Sequence, residues 1–357
     1  MDSFLIINSG SSSIKYEIFD MNLNSLYSGS IKKINSIFSK LKQYNIIACG
    51  YRVVHGGKFT KPIIIDNKVI SYLESINDLA PLHNPKTISI IKILKKTFNK
   101  IKHIAVFDTA FHSTIPKQNY LYGIPYVFFS KYNIRKYGFH GISHKYLSDY
   151  GIKLLKKIKK PYSKIITCHL GSGSSICAIK NGKSYDTSLG FSPNDGLIMA
   201  TRSGDIDPGI IFYMNKKLKY GINKIRDILN NKSGLLGLAN SSKMEVLVNS
   251  KNQKSKLAIE MFVNHIVNYI GSYYASLGGC DAIIFSGGIG EVEYKVRQMI
   301  IKKLNHLGFM IDNNKNKQKL IDSNLISNNK SKPIFVMHTH EELEIAKNLL
   351  KFKTKGI

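Results

Sequence analysis

The chain has 357 residues, 43% hydrophobic and 10% aromatic, enough for two domains with real cores. Its 52 Lys and Arg against 23 Asp and Glu give a net charge of +29, but the basic residues are spread along the whole chain and no nucleic-acid-binding motif accompanies them, so the surplus reads as solvated surface. No apolar run approaches the length of a membrane span, and residues 1–7 lack the basic and long apolar regions of a signal peptide. The expectation is a cytoplasmic protein with no membrane and no nucleic-acid partner.

In chain order, residues 4–19 read as strand, tight polar turn and strand around Ser9-Gly10-Ser11-Ser12-Ser13. Residues 46–54 form a strand that runs into His55-Gly56-Gly57. Residues 87–96 carry Ile88, Ile91 and Leu94 at helical spacing, and residues 101–107 form a strand ending at Asp108. Residues 165–179 repeat the grammar of the first hairpin around Gly171-Ser172-Gly173-Ser174-Ser175. A long amphipathic helix over 256–277 precedes a buried strand, 282–285, and then Gly287-Gly288-Ile289-Gly290-Glu291. Residues 311–332 read as a surface helix and loop. A strand at 334–337 leads to a final helix, 342–352.

This alternation is that of an α/β protein. Two copies of one loop half a chain apart predict a duplicated domain with a cleft between the halves. The expected boundaries are 1–146 with 343–357 for one lobe and 147–342 for the other. Cys49, Cys168, Cys177 and Cys280 show no CxxC or Cys/His spacing, which predicts reduced, buried thiols rather than zinc or disulfides.

A Gly/Ser turn between strands can aim several backbone N–H groups at one anion. Alone, such a turn reads equally as a structural hairpin; two of them plus the Gly287–Gly290 turn after a buried strand make a phosphate site the better reading. Arg52, His83, His140 and Arg202 lie near glycines or prolines at strand ends and in loops, and Asp108 ends a strand. That set suits phosphoryl transfer, which needs cationic donors around the moving group, a metal held by carboxylate, and exclusion of water. Each histidine taken singly reads as a capping or core residue. No HExxH pair supports a metal hydrolase.

On these motifs the chain resembles the acetokinase family from residue 4 to about residue 347. The motifs are Asn8 to Lys15, Arg52 to Gly57, Pro81 to Pro85, Phe107 to His112, Tyr137 to His144, Thr201 to Pro208, Ser233 to Leu238, Gly287 to Glu291 and Glu341 to Leu343. The resemblance implies a duplicated actin/hexokinase-like (ribonuclease-H-like) two-domain fold with an interdomain active-site cleft. It implies a homodimer that moves a phosphoryl group between ATP and acetate with Mg2+ or Mn2+. By the same resemblance, Asn8 and Glu341 are metal-site residues, and Ser11, Ser13 and Lys15 form the first phosphate loop. Arg52 and Arg202 grip the carboxylate and the phosphoryl group. Asp108 and His140 are catalytic, with His83 nearby. Val54, Leu82, Phe139 and Pro193 line the acyl pocket. His169, Leu170, Gly171, Ser172 and Gly173 form the second phosphate loop. Lys243, Met244, Glu245, Gly288, Ile289, Gly290, Glu291 and Val292 bind the nucleoside. A propionate kinase and a catalytically impaired relative are the alternatives.

Acetate is already ionised at neutral pH, its pKa being near the roughly 4.3 of Glu, so it needs no general base. Asp108 is therefore expected to orient Mg2+ or its water. The chain departs from the family pattern at Ser172, Ala200, Lys243, Glu245, Val292 and His340. Four of the six lie on the nucleotide side, which predicts weaker and less base-selective nucleotide binding.

Overall fold

Two β-branched runs flanking the first Gly/Ser turn pair as an antiparallel hairpin, β1 (Asp2–Ser9) and β2 (Ile14–Asp20), with Ile6 opposite Glu17 and Asn8 opposite Lys15. The structure is a computed structural model that describes residues 1–10, 13–81 and 83–354, the last two without their side chains. β3 (Ser25–Ile31) adds antiparallel to β2, and β4 (Asn45–Val53) pairs parallel to the other edge of β1. Beyond them, β5 (Ile63–Ile64) lies antiparallel to β6 (Lys102–Phe107), which is parallel to β4. The sheet order is β3-β2-β1-β4-β6-β5.

The second sheet repeats this plan. β7 (Lys164–Leu170), β8 (Ser174–Lys180) and β9 (Lys183–Thr187) form an antiparallel meander. β10 (Ala282–Ser286) is parallel to β7. β11 (Ser323–Leu325) is antiparallel to β12 (Ile334–Met337), which is parallel to β10. Read from β9, the order is β9-β8-β7-β10-β12-β11, the same sequence of parallel and antiparallel neighbours as the first sheet. The duplication expected from two similar turns therefore extends through six strands.

Helices that matter below are α1 (Asn84–Thr97), α2 (Val127–Tyr132), α3 (Gly141–Lys157), α4 (Pro208–Lys216), α5 (Met244–Val248), α6 (Gln253–Leu277), α7 (Gly287–Val292) and α8 (Glu341–Thr354). The alternation of β1 explains why its sheet is covered on both faces. Leu5 and Ile7 join Tyr51, Val53, Ile91 and Phe107 on one side. Phe4 and Ile6 join Ile104, Val106, Ile345 and Leu349 on the other. In the second sheet, α6 buries Ala258, Phe262, Ile266, Ile270 and Leu277 against Ile166, Cys168, Ile283 and Phe285. The helix stops at Gly278, whose φ of +66° is the left-handed C-cap that glycine adopts without strain. The four cysteines are free and buried, as expected.

The chain divides into two compact units, one of Met1–Ser113, Phe139–Tyr146 and His340–Ile357, the other of Thr114–Gly138 and Leu147–Thr339. Residues 114–138 thus fall with the second unit and not, as expected, with the first. The reason is edge bonding to β9. Thr114 Oγ1 donates to Ser184 O at 2.8 Å, Asn119 Nδ2 donates to Tyr185 O at 3.0 Å, and Lys136 pairs with Asp186 at 2.6 Å. His340 to Glu342 fall with the first unit. Residues 311–332 also differ from expectation, since they supply the edge strand β11; its Ser-Asn-Leu has none of the β-branched pattern that signals a strand.

Candidate active site

In the first unit, β1, β4 and β6 run parallel in register, with Ile7 beside Tyr51 and Val53 beside Phe107. Their carboxyl ends therefore bring Asn8, Arg52 and Asp108 together, the position at which open α/β sheets bind ligands. Arg52 Nε and Nη2 both donate to Asp108 Oδ2, at 3.0 and 2.6 Å. Its Nη1 donates to Asn8 Oδ1 at 3.1 Å and lies 3.4 Å from Glu341 Oε2. Asn8 Nδ2 donates in turn to Glu341 Oε2 at 2.9 Å and Glu342 Oε1 at 2.8 Å. These two glutamates open α8, where the helix dipole favours acids.

Burial pushes the Asp108 carboxyl up while the Arg52 guanidinium pulls against it. Burial also works against the Arg52 charge, but Asp108 and then Glu341 hold the proton on, and the net direction is up. Asp108 is seated by its own N–H, which donates to Val53 O at 3.0 Å. The structure thus gives its Oδ2 to Arg52, a different task from the expected one of orienting a metal.

Asn8, Glu341 and Glu342 offer hard oxygen donors, and two carboxylates meet on one amide. Burial, aided by Glu342, also raises Glu17 nearby. Such a set fits Mg2+, which binds through one or two carboxylates and completes its shell with water and phosphate. Among the described residues, no group of three or more His, Cys, Asp or Glu could hold a metal ion by itself.

His140 sits at φ +56°, just before α3. The turn comes so close to Asp108 that a Cβ on Gly141 would lie 1.9 Å from the Asp108 carbonyl oxygen. Val54 and Phe139 are buried, and His55 packs edge-on against Phe139 at 5.7 Å. His83 precedes α1 and is half-buried. Lys15 is exposed beside Asn8 in register, and Ser13 O accepts the Gly10 N–H at 2.9 Å. Ser11 and Leu82 lie outside the described residues.

Two residues without a predicted role take part. Asn84 Oδ1 accepts from His55 N at 3.1 Å and its Nδ2 donates to His55 O at 3.0 Å, pinning the segment that carries Val54. Lys86 Nζ donates to Gly10 O at 2.8 Å, reaching the first Gly/Ser turn. The signal for Asn84 was its place between His83 and Pro85; nothing local marks Lys86 among so many lysines.

In the second unit, a cavity of about 570 Å³ gathers Gly171 and Ser172 from the second turn, Lys243, Met244 and Glu245 around the start of α5, and Gly288, Ile289 and Val292 from α7. Ser242 and Glu293 complete its lining. Gly287, at φ +77°, lets α7 pack on β7; a Cβ there would lie 2.6 Å from Leu170 O. His169 pairs with Ser286 and Ser175 within the sheet, and Leu170 is buried. Gly173 O closes the turn by accepting from Gly171 N at 3.1 Å. Gly290 O accepts from Arg297. Glu291 differs from expectation. Its Oε1 accepts from Gly287 N at 2.9 Å and its Oε2 meets His338 Nδ1 at 2.6 Å, so it caps its own helix and does not line the cavity.

Arg202 donates from Nη1 to Pro193 O at 3.1 Å and also approaches Met199 Sδ. Unlike Arg52, it has no acidic partner among the described residues, and burial lowers its pKa. A buried guanidinium with no counter-charge is a strong binding point for an anion.

A family model described as "Acetokinase family" matches residues 29–347. An acetate kinase of Wigglesworthia glossinidia brevipalpis is 43% identical, covering 98% of each chain. One from Carboxydothermus hydrogenoformans is 40% identical, covering 97% of this chain and 98% of that one. Among solved structures, a propionate kinase from Francisella tularensis superposes with a TM-score of 0.89 at 37% identity, covering 98% of this chain and 99% of that one. The acetate kinase of Porphyromonas gingivalis gives 0.88 at 34% identity, covering 99% and 100%. With near-complete coverage in both directions, the chain belongs to the acetokinase family.

Proposed function

We propose that this protein transfers the terminal phosphoryl group of ATP to acetate, reversibly, giving ADP and acetyl phosphate by direct in-line displacement. The observation that carries this reading is the way Arg52 is fixed at the strand ends of the first unit. Arg52 is braced by Asp108, Asn8 and Glu341, while Arg202 carries an uncompensated buried charge. Phosphoryl transfer needs cationic donors fixed in advance where charge develops.

In this reading, as the family resemblance implies, Arg52, Arg202 and His140 serve the carboxylate and the phosphoryl oxygens, with His83 as a further histidine of the set. Asp108 aims Arg52. Val54 and Phe139, both buried in the first unit, contribute to the pocket for the methyl group, and Leu82 and Pro193 are assigned to it by the resemblance alone. Asn8 and Glu341, with Glu342, would hold Mg2+ or Mn2+, which when bound neutralises charge on the phosphates. The second-unit cavity takes the nucleoside, and the Gly/Ser turns take the phosphates through backbone N–H groups.

We also propose a homodimer. In α4 no residue is buried, and Ile210, Phe212 and Tyr213 are exposed, as are Tyr126 just before α2 and Tyr132 at its end. Such apolar surface favours a partner. A cytoplasmic location fits the four unpaired cysteines. No helix among the described residues is long and apolar enough to cross a membrane.

The test is to trap acetyl phosphate as its hydroxamate with purified protein, ATP, Mg2+ and acetate. Hydroxamate that requires all three is expected. None at any nucleotide concentration would overturn the proposal.

A further inference from the structure

The start of α1 reaches the ends of two strands, and one of its residues runs against the local rules of helix formation. We propose that Lys86 is a positioning residue for nucleotide binding: its ammonium holds the Gly10 carbonyl, so that the backbone N–H groups of the first Gly/Ser turn stay aimed at the phosphates. The inference rests on the phosphate role given to that turn above.

Helix α1 has His83 at its N-cap and then Asn84, Pro85 and Lys86 in its first turn, with no acidic residue there. The N–H groups at a helix start are unpaired and the macrodipole favours anions beside them, so a lysine in the first turn works against the helix. Lys95 and Lys96, in the last turn, follow the same rule instead of breaking it. A residue that breaks a local rule is expected where a site requires it. For Lys86 the offsetting contact is the bond that its Nζ donates to Gly10 O at 2.8 Å, across 76 residues of chain and from a half-buried position.

The base from which Lys86 reaches is fixed. Ile88, Ile91 and Leu94 of α1 are buried with Ile7 of β1, Ile14 of β2 and Val53 of β4. Asn84 clasps both backbone groups of His55. At the other end, Gly10 uses both of its own backbone groups: its N–H closes the turn on Ser13 O at 2.9 Å, and its carbonyl takes Lys86. Glycine and serine give such a turn little side-chain bulk to pack, so its direction has to be set from outside. A peptide unit is planar, and a carbonyl held in place fixes the direction of the N–H on its far side. Hydrogen bonds in a chain also polarise one another, so a cation on a carbonyl strengthens the donor beyond it.

The experiment is steady-state kinetics of Lys86→Met with ATP and with acetate varied, beside equilibrium binding of ATP. Loss of an interaction made equally in the ground and transition states raises KM and spares kcat, so KM and the dissociation constant for ATP should each rise about tenfold, while kcat and KM for acetate stay within about twofold. Lys86→Arg keeps the charge and the reach and should recover most of the affinity for ATP. Lys92→Met, farther along the same helix where Lys92 pairs with Glu74 at the surface, should change neither. A merely structural role would lower the melting temperature, depress kcat and raise both KM values together. If Lys86→Met does not fold, Lys86→Gln, which removes the charge and keeps a polar side chain, carries the same expectation. An ATP affinity unchanged in these variants, a loss shared by kcat and both KM values, or no recovery in Lys86→Arg overturns the proposal. A wild type that binds ATP but makes no acyl phosphate, with the binding still weakened in Lys86→Met, overturns the kinase reading and leaves Lys86 in its role.

Discussion

Two nitrogens of Arg52, Nε and Nη2, converge on a single oxygen of Asp108, at 3.0 and 2.6 Å. This geometry fixes the plane of the guanidinium and leaves Nη1 on Asn8 and Glu341. Asp108→Asn exchanges the charged acceptor for a neutral amide and lets the fork rotate. A misplacement of about 1 Å can cost roughly 100-fold in rate. Asp108→Asn should therefore lower kcat by about that factor while the Mg2+ dependence stays normal. Steady-state rates over a Mg2+ titration measure both, and a large shift in the Mg2+ requirement would return Asp108 to a metal role.

Acid should destabilise the first unit through His55. Its Nδ1 accepts the Gly57 N–H at 3.0 Å, a bond that only the ring unprotonated at Nδ1 can make. Burial lowers its pKa from 6.5 to about 4. The folded state favours neutral His55, so this stability is complete above about 6.5 and is lost as pH falls from there to about 4. At roughly 1.4 kcal/mol per pH unit, the loss is about 3 kcal/mol. Urea unfolding at pH 7 and pH 4 should show it, and His55→Gln should flatten the difference.

Gly141→Ala tests the approach of α3 to the β6 end. The new methyl group would meet the Asp108 carbonyl oxygen, which is backbone and cannot swing aside. Overpacking of this kind costs about 1–3 kcal/mol or more. The variant should melt at lower temperature and lose activity together, because the same shift displaces His140 and Asp108. Wild-type stability and rate would contradict the close contact.

Lys243, Glu245 and Val292 line the second-unit cavity, proposed above for the nucleoside, with exposed side chains, Val292 at 70% exposure. Little there fixes the edge of a purine. GTP and ITP should serve as donors with kcat/KM within about tenfold of ATP, and KM for ATP should be high. A screen of nucleoside triphosphates decides this, and tight use of ATP alone would refute it. On the acid side, propionate adds one methylene to the pocket, worth about 1–3 kcal/mol, so its kcat/KM should fall at least about tenfold below that of acetate.

The two hairpins were legible because strand periodicity and Gly/Ser turns are local signals, and structure and sequence agree at β1–β2 and β7–β8. The ends of β4 and β6 were legible for the same reason, which placed Arg52 and Asp108 at strand ends. The partners of those side chains were not. Arg52 and Asp108 are 56 residues apart, and Asn8 and Glu341 are 333 apart. The return of Glu291 onto its own helix also escaped, since it does not follow from periodicity.

What the sequence determined by itself was the set of elements, their duplication, and the residue types at the strand ends. Tertiary structure decided which atoms face each other. Asp108 became the brace of Arg52, and Asn8 met Glu341, because the register of parallel strands and the seating of α8 on their ends depend on packing between distant segments.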